Sequence, residues 1–152
     1  ARQRFRPLEH MLAYGILLVF PEMSLNVDTE MIEHPTQEYP KLIEETAQVS
    51  HGIFTPTNIQ CVLIDDDDNF RLSLEFRGRR FEHVLHSSAE WVNVNYVAWL
   101  NEVLQAEGEP GFYHRLLTYD QTASFLFLTA EQSTLAREKA IIPFDEEWRP
   151  FH

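Results

Sequence analysis

The sequence predicts an α+β protein with an antiparallel sheet of about five strands, a meander plus a hairpin, packed by three to four helices. Two observations predict this class. Runs rich in β-formers follow one another with short turns in the middle of the chain, and apolar residues at helical spacing occur on both sides of them. The expected order is helix, helix, three strands, helix, two strands, helix. Strands and helices do not alternate strictly, so a doubly wound parallel fold is not expected.

Length and composition indicate a single globular domain over residues 1–152. Of the 152 residues, 44% are hydrophobic and 24% charged, which is typical of a chain that folds around one core. Cys61 is the one cysteine, so no internal disulfide forms and a reducing compartment is the simpler interpretation. The longest apolar run, residues 11–20, is shorter than the roughly 20 residues that span a bilayer. No small-residue cleavage site follows this run, and we expect a cytoplasmic protein.

The first third of the chain predicts one clear helix. Residues 7–20 fit a short helix that runs into extended chain, and residues 21–35 resemble a loop with proline at both ends. "TQEYPKLIEETAQVSHG" has the apolar stripe of a helix, with Thr36 as its cap and Gly52 at its end. Pro40 is expected near the first turn, where its missing N–H costs little.

The middle of the chain predicts a three-stranded meander. "NIQCVLI" and "FRLSLEF" are β-rich runs joined by "DDDDN", and "FEHVLH" follows the basic turn "RGRR". In the second run, Phe70, Leu72 and Leu74 alternate with polar residues, which is typical of a strand with one solvated face. The basic turn is expected to guard an edge or to form ion pairs with nearby acids.

The second half predicts a helix, a hairpin and a last helix. "NVNYVAWLNEVLQAEG" has helical spacing, with Asn93 as a potential cap and Gly108 near its end. "FYHRLLTY" and "SFLFLT" read as two strands. Thr129 and Gln132 form the signature of a capping box before the final helix. The aromatic side chains of the tail "IIPFDEEWRPF" suggest that it docks on the body of the protein.

The acidic charge of the chain restricts the classes of partner. Net charge is −12, from 24 acidic and 12 basic residues. Between Glu22 and Phe70 there are eleven acids and a single base, Lys41. Such a surface disfavours nucleic acid, whose phosphates require lysine and arginine, and it disfavours anionic membranes. We therefore expect a protein partner, basic in charge, and neither nucleic acid nor membrane.

The four consecutive aspartates are the most unusual feature. One or two aspartates satisfy a hairpin turn, and four exceed that need. A solvated turn and a patch for a basic protein are both open interpretations, whereas a calcium site lacks the alternating ligands and central glycine of an EF-hand. A tryptophan just before a helix either packs in the core or anchors a partner. The predicted partner-binding residues are Asp65, Asp66, Asp67, Asp68, Glu44, Glu45 and Trp91.

No complete catalytic motif occurs in the sequence, so we expect a protein that is not an enzyme. His83, His86 and His114 are the first candidates for a dispersed His/Glu acid–base site, although the first two should point to opposite faces of a strand. Cys61 lies mid-strand and should be a buried, inert thiol, with a dyad to His83 or Glu75 as the alternative. Neither a metal ligand set nor a phosphate-binding glycine loop is present, and no cofactor is expected.

The stretch from "WVNVNYVAWLNEVL" to "FYHRLLTYDQTASFLFLT", residues 91–129, is an aromatic-rich helix followed by strands. In an acidic, cysteine-poor α+β chain without catalytic motifs, this texture resembles the immunity proteins encoded beside bacterial polymorphic toxins. The resemblance implies tight cytoplasmic binding of one cognate toxin, with no catalysis, and carries over no binding residue. A nuclease-type toxin would fit the charge. A small enzyme with a dispersed His/Glu site, or an adaptor or structural domain of a larger bacterial or phage assembly, remain the alternatives.

Overall fold

The computed structural model describes residues 24–30, 32–88, 90–118 and 120–151. Within these residues the chain forms six strands and three helices, as the α+β prediction requires. The strands are β1 (Ser24–Asp28), β2 (Thr57–Leu63), β3 (Asn69–Phe76), β4 (Arg79–His86), β5 (Gly111–Arg115) and β6 (Thr122–Thr129). The helices are α1 (Pro35–Gln48), α2 (Asn95–Ala106) and α3 (Ala130–Lys139).

The described strands form two three-stranded antiparallel sheets, whereas the sequence predicted one sheet of about five strands. The sheet orders are β2-β3-β4 and β1-β6-β5. The predicted meander is the first sheet, and the predicted hairpin, β5 with β6, gains β1 as a third strand. Side-chain alternation identifies strands but does not specify which distant edges pair, so the division into two sheets was not predictable from the pattern.

Strand β1 corrects the predicted loop over residues 21–35. Leu25 and Val27 are buried, whereas Asn26 and Asp28 face solvent, which is strand alternation over a very short run. The strand pairs in register with β6, from Ser24 opposite Leu126 to Asp28 opposite Thr122. Two apolar residues among polar neighbours are only a weak signal for a strand. The strand forms because this segment pairs with the apolar strand β6.

Helix α1 begins earlier than predicted. Its N-cap is His34 and its first residue is Pro35, so Thr36 lies inside the helix and is not its cap. The Glu38 carboxylate accepts the His34 N–H at 2.6 Å, which satisfies one backbone donor at this end. Pro40 consequently lies inside the helix and not in its first turn, where it removes one i→i−4 hydrogen bond.

Buried hydroxyl groups join α1 to both sheets. The Tyr39 hydroxyl accepts the Asn93 N–H at 2.9 Å and lies 2.6 Å from Ser87 Oγ, just after β4. The Tyr113 hydroxyl, on β5, donates to the Thr46 carbonyl at 2.6 Å. Tyr39 and Tyr113 belong to one hydrophobic cluster that includes residues of both sheets, so α1 is held against the shared core by apolar packing and by hydrogen bonds.

The second half of the chain folds largely as predicted. Thr129 and Gln132 form the capping box that starts α3. Helix α2 begins at Asn95 with Val94 as its N-cap, and Asn93 instead accepts the Asn95 N–H from one position further back. The predicted docking of the tail is confirmed, since the Trp148 ring packs edge-on against Phe125 at 5.3 Å.

Residues 7–20, for which a helix and extended chain were predicted, lie outside the described residues. Among the described residues no helix is long and apolar enough to cross a bilayer.

Candidate protein-binding surface

Residues 65–68 join β2 to β3 and form a closed, exposed turn, called the acidic turn below. The Ile64 N–H donates to the Asn69 carbonyl at 2.8 Å and closes it. Asp65 Oδ1 accepts the Asp67 N–H at 2.9 Å, and both Asp65 carboxylate oxygens lie 3.1 Å from Asn69 Nδ2. The hydrogen bond from Asn69 is the main reason that the pKa of Asp65 lies below its usual value. Asp65 therefore organises the turn from within.

Asp68 also contributes to the backbone structure of the turn, whereas the side chains of Asp66 and Asp67 do not. Asp68 has a φ of 58°, in the left-handed region that aspartate tolerates better than most residues. Its carbonyl accepts the Ser87 N–H at 2.9 Å. Asp66 and Asp67 are exposed, and their carboxylates make no hydrogen bond or ion pair with any other described residue. Two of the four aspartates, Asp65 and Asp68, thus have a structural role in the turn. The other two, Asp66 and Asp67, have none.

Five arginines of the described residues form ion pairs with carboxylates outside the acidic turn. The ion pairs are Arg77–Glu109, Arg79–Glu107, Arg80–Glu82, Arg115–Asp145 and Arg137–Glu146. The first three belong to the β3–β4 turn, which was predicted to supply ion pairs. The eight residues of β3 separate this turn from the acidic turn by about 23 Å, whereas the Debye length is about 8 Å at physiological salt. These pairs therefore do not compensate the charge of the acidic turn at the other end of the sheet. Arg71, three residues after Asp68 in the sequence, lies closer to the turn but forms no ion pair with a described carboxylate.

Trp91 lies at the same end of the β2-β3-β4 sheet as the acidic turn. Its side chain is 48% exposed. Ser87 links the two features, because its N–H donates to Asp68 and its Oγ lies 3.4 Å from the Trp91 carbonyl. An exposed indole at this end of the sheet suits a partner anchor, and that role stays a prediction.

The structure does not bring Glu44 and Glu45 to the acidic turn. Both are exposed on α1 but line different clefts. Glu44 lines a cleft of about 340 Å³ with Ile59, at the start of β2, which lies roughly 20 Å along the strand from the turn. Glu45 lines a cleft of about 280 Å³ with Asp28 and Glu38, between α1 and β1. The acids of the first half of the chain therefore occupy more than one surface.

An exposed apolar strip on the β2-β3-β4 sheet was not predicted. Val62, Ile64 and Val84 project from the face turned away from the core, here called the outer face, and are 54%, 41% and 56% exposed. In register, Val62 and Val84 lie on either side of Arg71. The run "NIQCVLI" did carry the signal, because it is apolar at both inward and outward positions near its end.

The three candidate catalytic histidines lie in different environments. His83 is on the inner face of β4 and stacks on Trp99 with ring centroids 5.5 Å apart. His86 is on the outer face, as the predicted opposite orientation requires. His114, on β5, packs against Phe144, and burial lowers its pKa to about 4, with the charge of Arg137 as a smaller cause. These three side chains do not converge on one site.

Cys61 is a buried thiol, as predicted, and burial raises its pKa to about 11. Cys61 and His83 are both in register with Leu72, one on each side, so two strand spacings, about 10 Å, separate their backbones. Glu75 points to the face of β3 opposite the one that Cys61 shares with Leu72, so Cys61 and Glu75 do not form a dyad. Among the described residues no three His, Cys, Asp or Glu side chains are grouped closely enough to hold a metal ion.

Comparison with known proteins adds no functional assignment. The chain matches no known protein family, no curated protein and no solved structure.

Proposed function

We propose that this chain is a non-enzymatic acidic binding protein, an immunity protein that neutralises a cognate basic toxin of the nuclease type in the cytoplasm. The observation that carries the proposal is the pair of carboxylates Asp66 and Asp67, exposed and without a cationic partner among the described residues. Enzymes that act on nucleic acid present positive grooves, and an acidic turn complements such a groove. The immunity role itself comes from the sequence resemblance.

The acidic turn and Trp91 have different tasks in this proposal. Carboxylates at the rim accelerate encounter with a basic partner, especially at low salt. A half-exposed indole supplies contact area that is largely desolvated on binding, as interface hot spots require. A standard interface buries about 800 Å² on each partner. Glu44 and Glu45, on α1, contribute to the long-range negative potential rather than to the contact beside the turn.

Affinity capture from a lysate of the encoding organism tests the proposal. We expect the immobilised protein to retain a basic protein at low salt and to release it at high salt. The isosteric variant Asp66→Asn/Asp67→Asn should lose this retention. The matched control Glu138→Gln/Glu147→Gln removes the same charge from exposed acids elsewhere and should keep it. If no basic protein is retained at low salt, or if both variants lose it equally, the proposal fails.

Co-expression separates immunity from other binding roles. The captured protein, produced alone, should arrest growth, and co-production of wild-type protein should restore growth. A captured protein without toxicity would contradict the immunity role and favour the adaptor alternative.

A further inference from the structure

We infer that the apolar strip on the outer face of the β2-β3-β4 sheet is the hydrophobic part of the same interface. It receives apolar side chains of a basic protein whose neighbouring lysine or arginine residues contact Asp66 and Asp67. This inference rests on the proposed function and adds to it the chemistry of the partner's contact surface, which must combine aliphatic and cationic side chains.

The strip is continuous with the acidic turn. Ile64 is the last residue before the turn and lies two positions from Asp66. Val62 and Val84 form the next row of the outer face, with Arg71 between them in register. Arg71 is exposed between them, and the aliphatic stem of an arginine can pack along apolar groups while its charged end stays in water.

The elements of the described chain leave this face open. Leu72 and Leu74, on the opposite face of β3, are fully buried and belong to the main core, whereas Val62 and Val84 remain more than half exposed. Valine is common in strands, so its exposure alone indicates nothing. What distinguishes this strip is its position directly beside two carboxylates, those of Asp66 and Asp67, that form no ion pair with any described residue.

Charge complementarity identifies the occupant. A second copy of this chain carries the same net charge of −12 and would bring like charges together at the turn. A basic partner instead meets the carboxylates at the rim while its apolar side chains cover the valines. An apolar centre with a charged rim is the usual anatomy of a specific protein interface.

Two fluorescent peptides of equal length and equal positive charge test the inference. One alternates lysine with leucine and the other alternates lysine with serine, and binding is followed by fluorescence anisotropy. We expect wild-type protein to bind the lysine–leucine peptide about tenfold more tightly, because only that peptide removes apolar surface from water. The variant Val62→Thr/Ile64→Thr/Val84→Thr keeps β-branched side chains and should lose most of this preference.

The control variant Leu135→Gln/Ile141→Thr alters exposed apolar side chains outside this sheet, 53% and 56% exposed, and should keep the preference. Circular dichroism melting establishes that each variant is folded. If the triple variant is unfolded, the single variants Val62→Thr and Val84→Thr should each show part of the loss. Equal binding of the two peptides to wild-type protein, or an unchanged preference in folded threonine variants, would overturn the inference.

The same titrations distinguish failure of the inference from failure of the proposed function. If Asp66→Asn/Asp67→Asn weakens binding of both peptides more than Glu138→Gln/Glu147→Gln does, the acidic turn binds cationic peptides. The proposed function then stands even if the apolar strip makes no contribution. If the two variants are equivalent, the proposed function fails as well.

Two other occupants of the strip would also overturn the inference. A dimer in sedimentation velocity that the threonine variant dissociates would show that a second copy covers the strip. Protection of Ile64 and Trp91 from hydroxyl-radical labelling in the free monomer would show that another part of this chain covers it.

Discussion

The carbonyl oxygen of Asp68 accepts the Ser87 N–H at 2.9 Å, so the acidic turn is fastened to the segment that carries Trp91. Ser87 Oγ in turn lies 2.6 Å from the Tyr39 hydroxyl on α1. The backbone of the turn is thus held by the pairing of β2 with β3 and by the hydrogen bond from Ser87 to Asp68. An ordered backbone of the turn before encounter lowers the entropy cost of binding.

Replacement of Asp65 should weaken the turn more through lost hydrogen bonds than through lost charge. Asp65→Ala removes the acceptor of the Asp67 N–H, whereas Asp65→Asn keeps an oxygen in place. We expect a lower melting temperature for the alanine variant than for the asparagine variant, measured by circular dichroism at neutral pH. Because the pKa of Asp65 is lowered on folding, its carboxylate stabilises the protein above the ordinary pKa and stops doing so as pH falls through the folded value. Equal melting temperatures for the two variants would contradict this role.

Loss of the Arg77 side chain should leave a nearly buried carboxylate without its partner. The Glu109 side chain, paired with Arg77, is 8% exposed. Arg77 has a φ of 53°, which asparagine tolerates, so Arg77→Asn adds no backbone strain. It also removes the hydrogen bond from Arg77 to the Glu107 carbonyl, so the double variant below is needed to separate the ion pair. We expect a loss of about 1–3 kcal/mol in the free energy of urea unfolding. Arg77→Asn/Glu109→Gln should recover part of that loss, and strictly additive effects would argue against the pair.

His114 should make the protein less stable in mild acid. Its folded-state pKa of about 4 lies below the ordinary value of 6.5, so the unfolded chain binds more protons between these two values. The free energy of unfolding should therefore fall as pH drops below 6.5, by on the order of 3 kcal/mol once pH reaches 4. Urea titrations over this range should show a flatter pH dependence for His114→Phe. The same slope in both proteins would mean that other groups cause the effect.

Trp91 should matter for binding and little for folding. Because its side chain is 48% exposed, Trp91→Ala should change the free energy of unfolding by less than about 1 kcal/mol. Affinity for the captured basic protein should fall by about 2 kcal/mol, measured by calorimetry, with Trp91→Phe close to wild type. An unchanged affinity for Trp91→Ala would exclude the indole as an anchor.

The local pattern of the sequence predicted most elements, because these depend on neighbours in the chain. The alternation from Phe70 to Phe76 corresponds to β3, and the capping box at Thr129 begins α3. The strand β1 and the split into two sheets depend on pairing across 98 residues, from Asn26 to Ser124, which no local pattern encodes.

The candidate site was predictable in part. Exposure of the aspartates follows from their charge, and the structure agrees for all four. The special role of Asp65 depends on the backbone path of the turn and on Asn69, which composition does not reveal. The separation of Glu44 and Glu45 from the turn depends on how α1 packs against β1 and β2. This packing is a tertiary contact that the local sequence does not encode. Counting acids along the chain therefore overestimated how close together they lie on the surface.

Association kinetics with the captured basic protein test the central claim most directly. Stopped-flow association rates should be measured against ionic strength for wild type, Asp66→Asn/Asp67→Asn and Glu138→Gln/Glu147→Gln. We expect the aspartate variant to associate roughly tenfold more slowly than wild type at low salt, with a shallower salt dependence, and the glutamate variant to stay within about twofold of wild type. Equal slowing by the two variants would show that only net charge matters and would contradict the account.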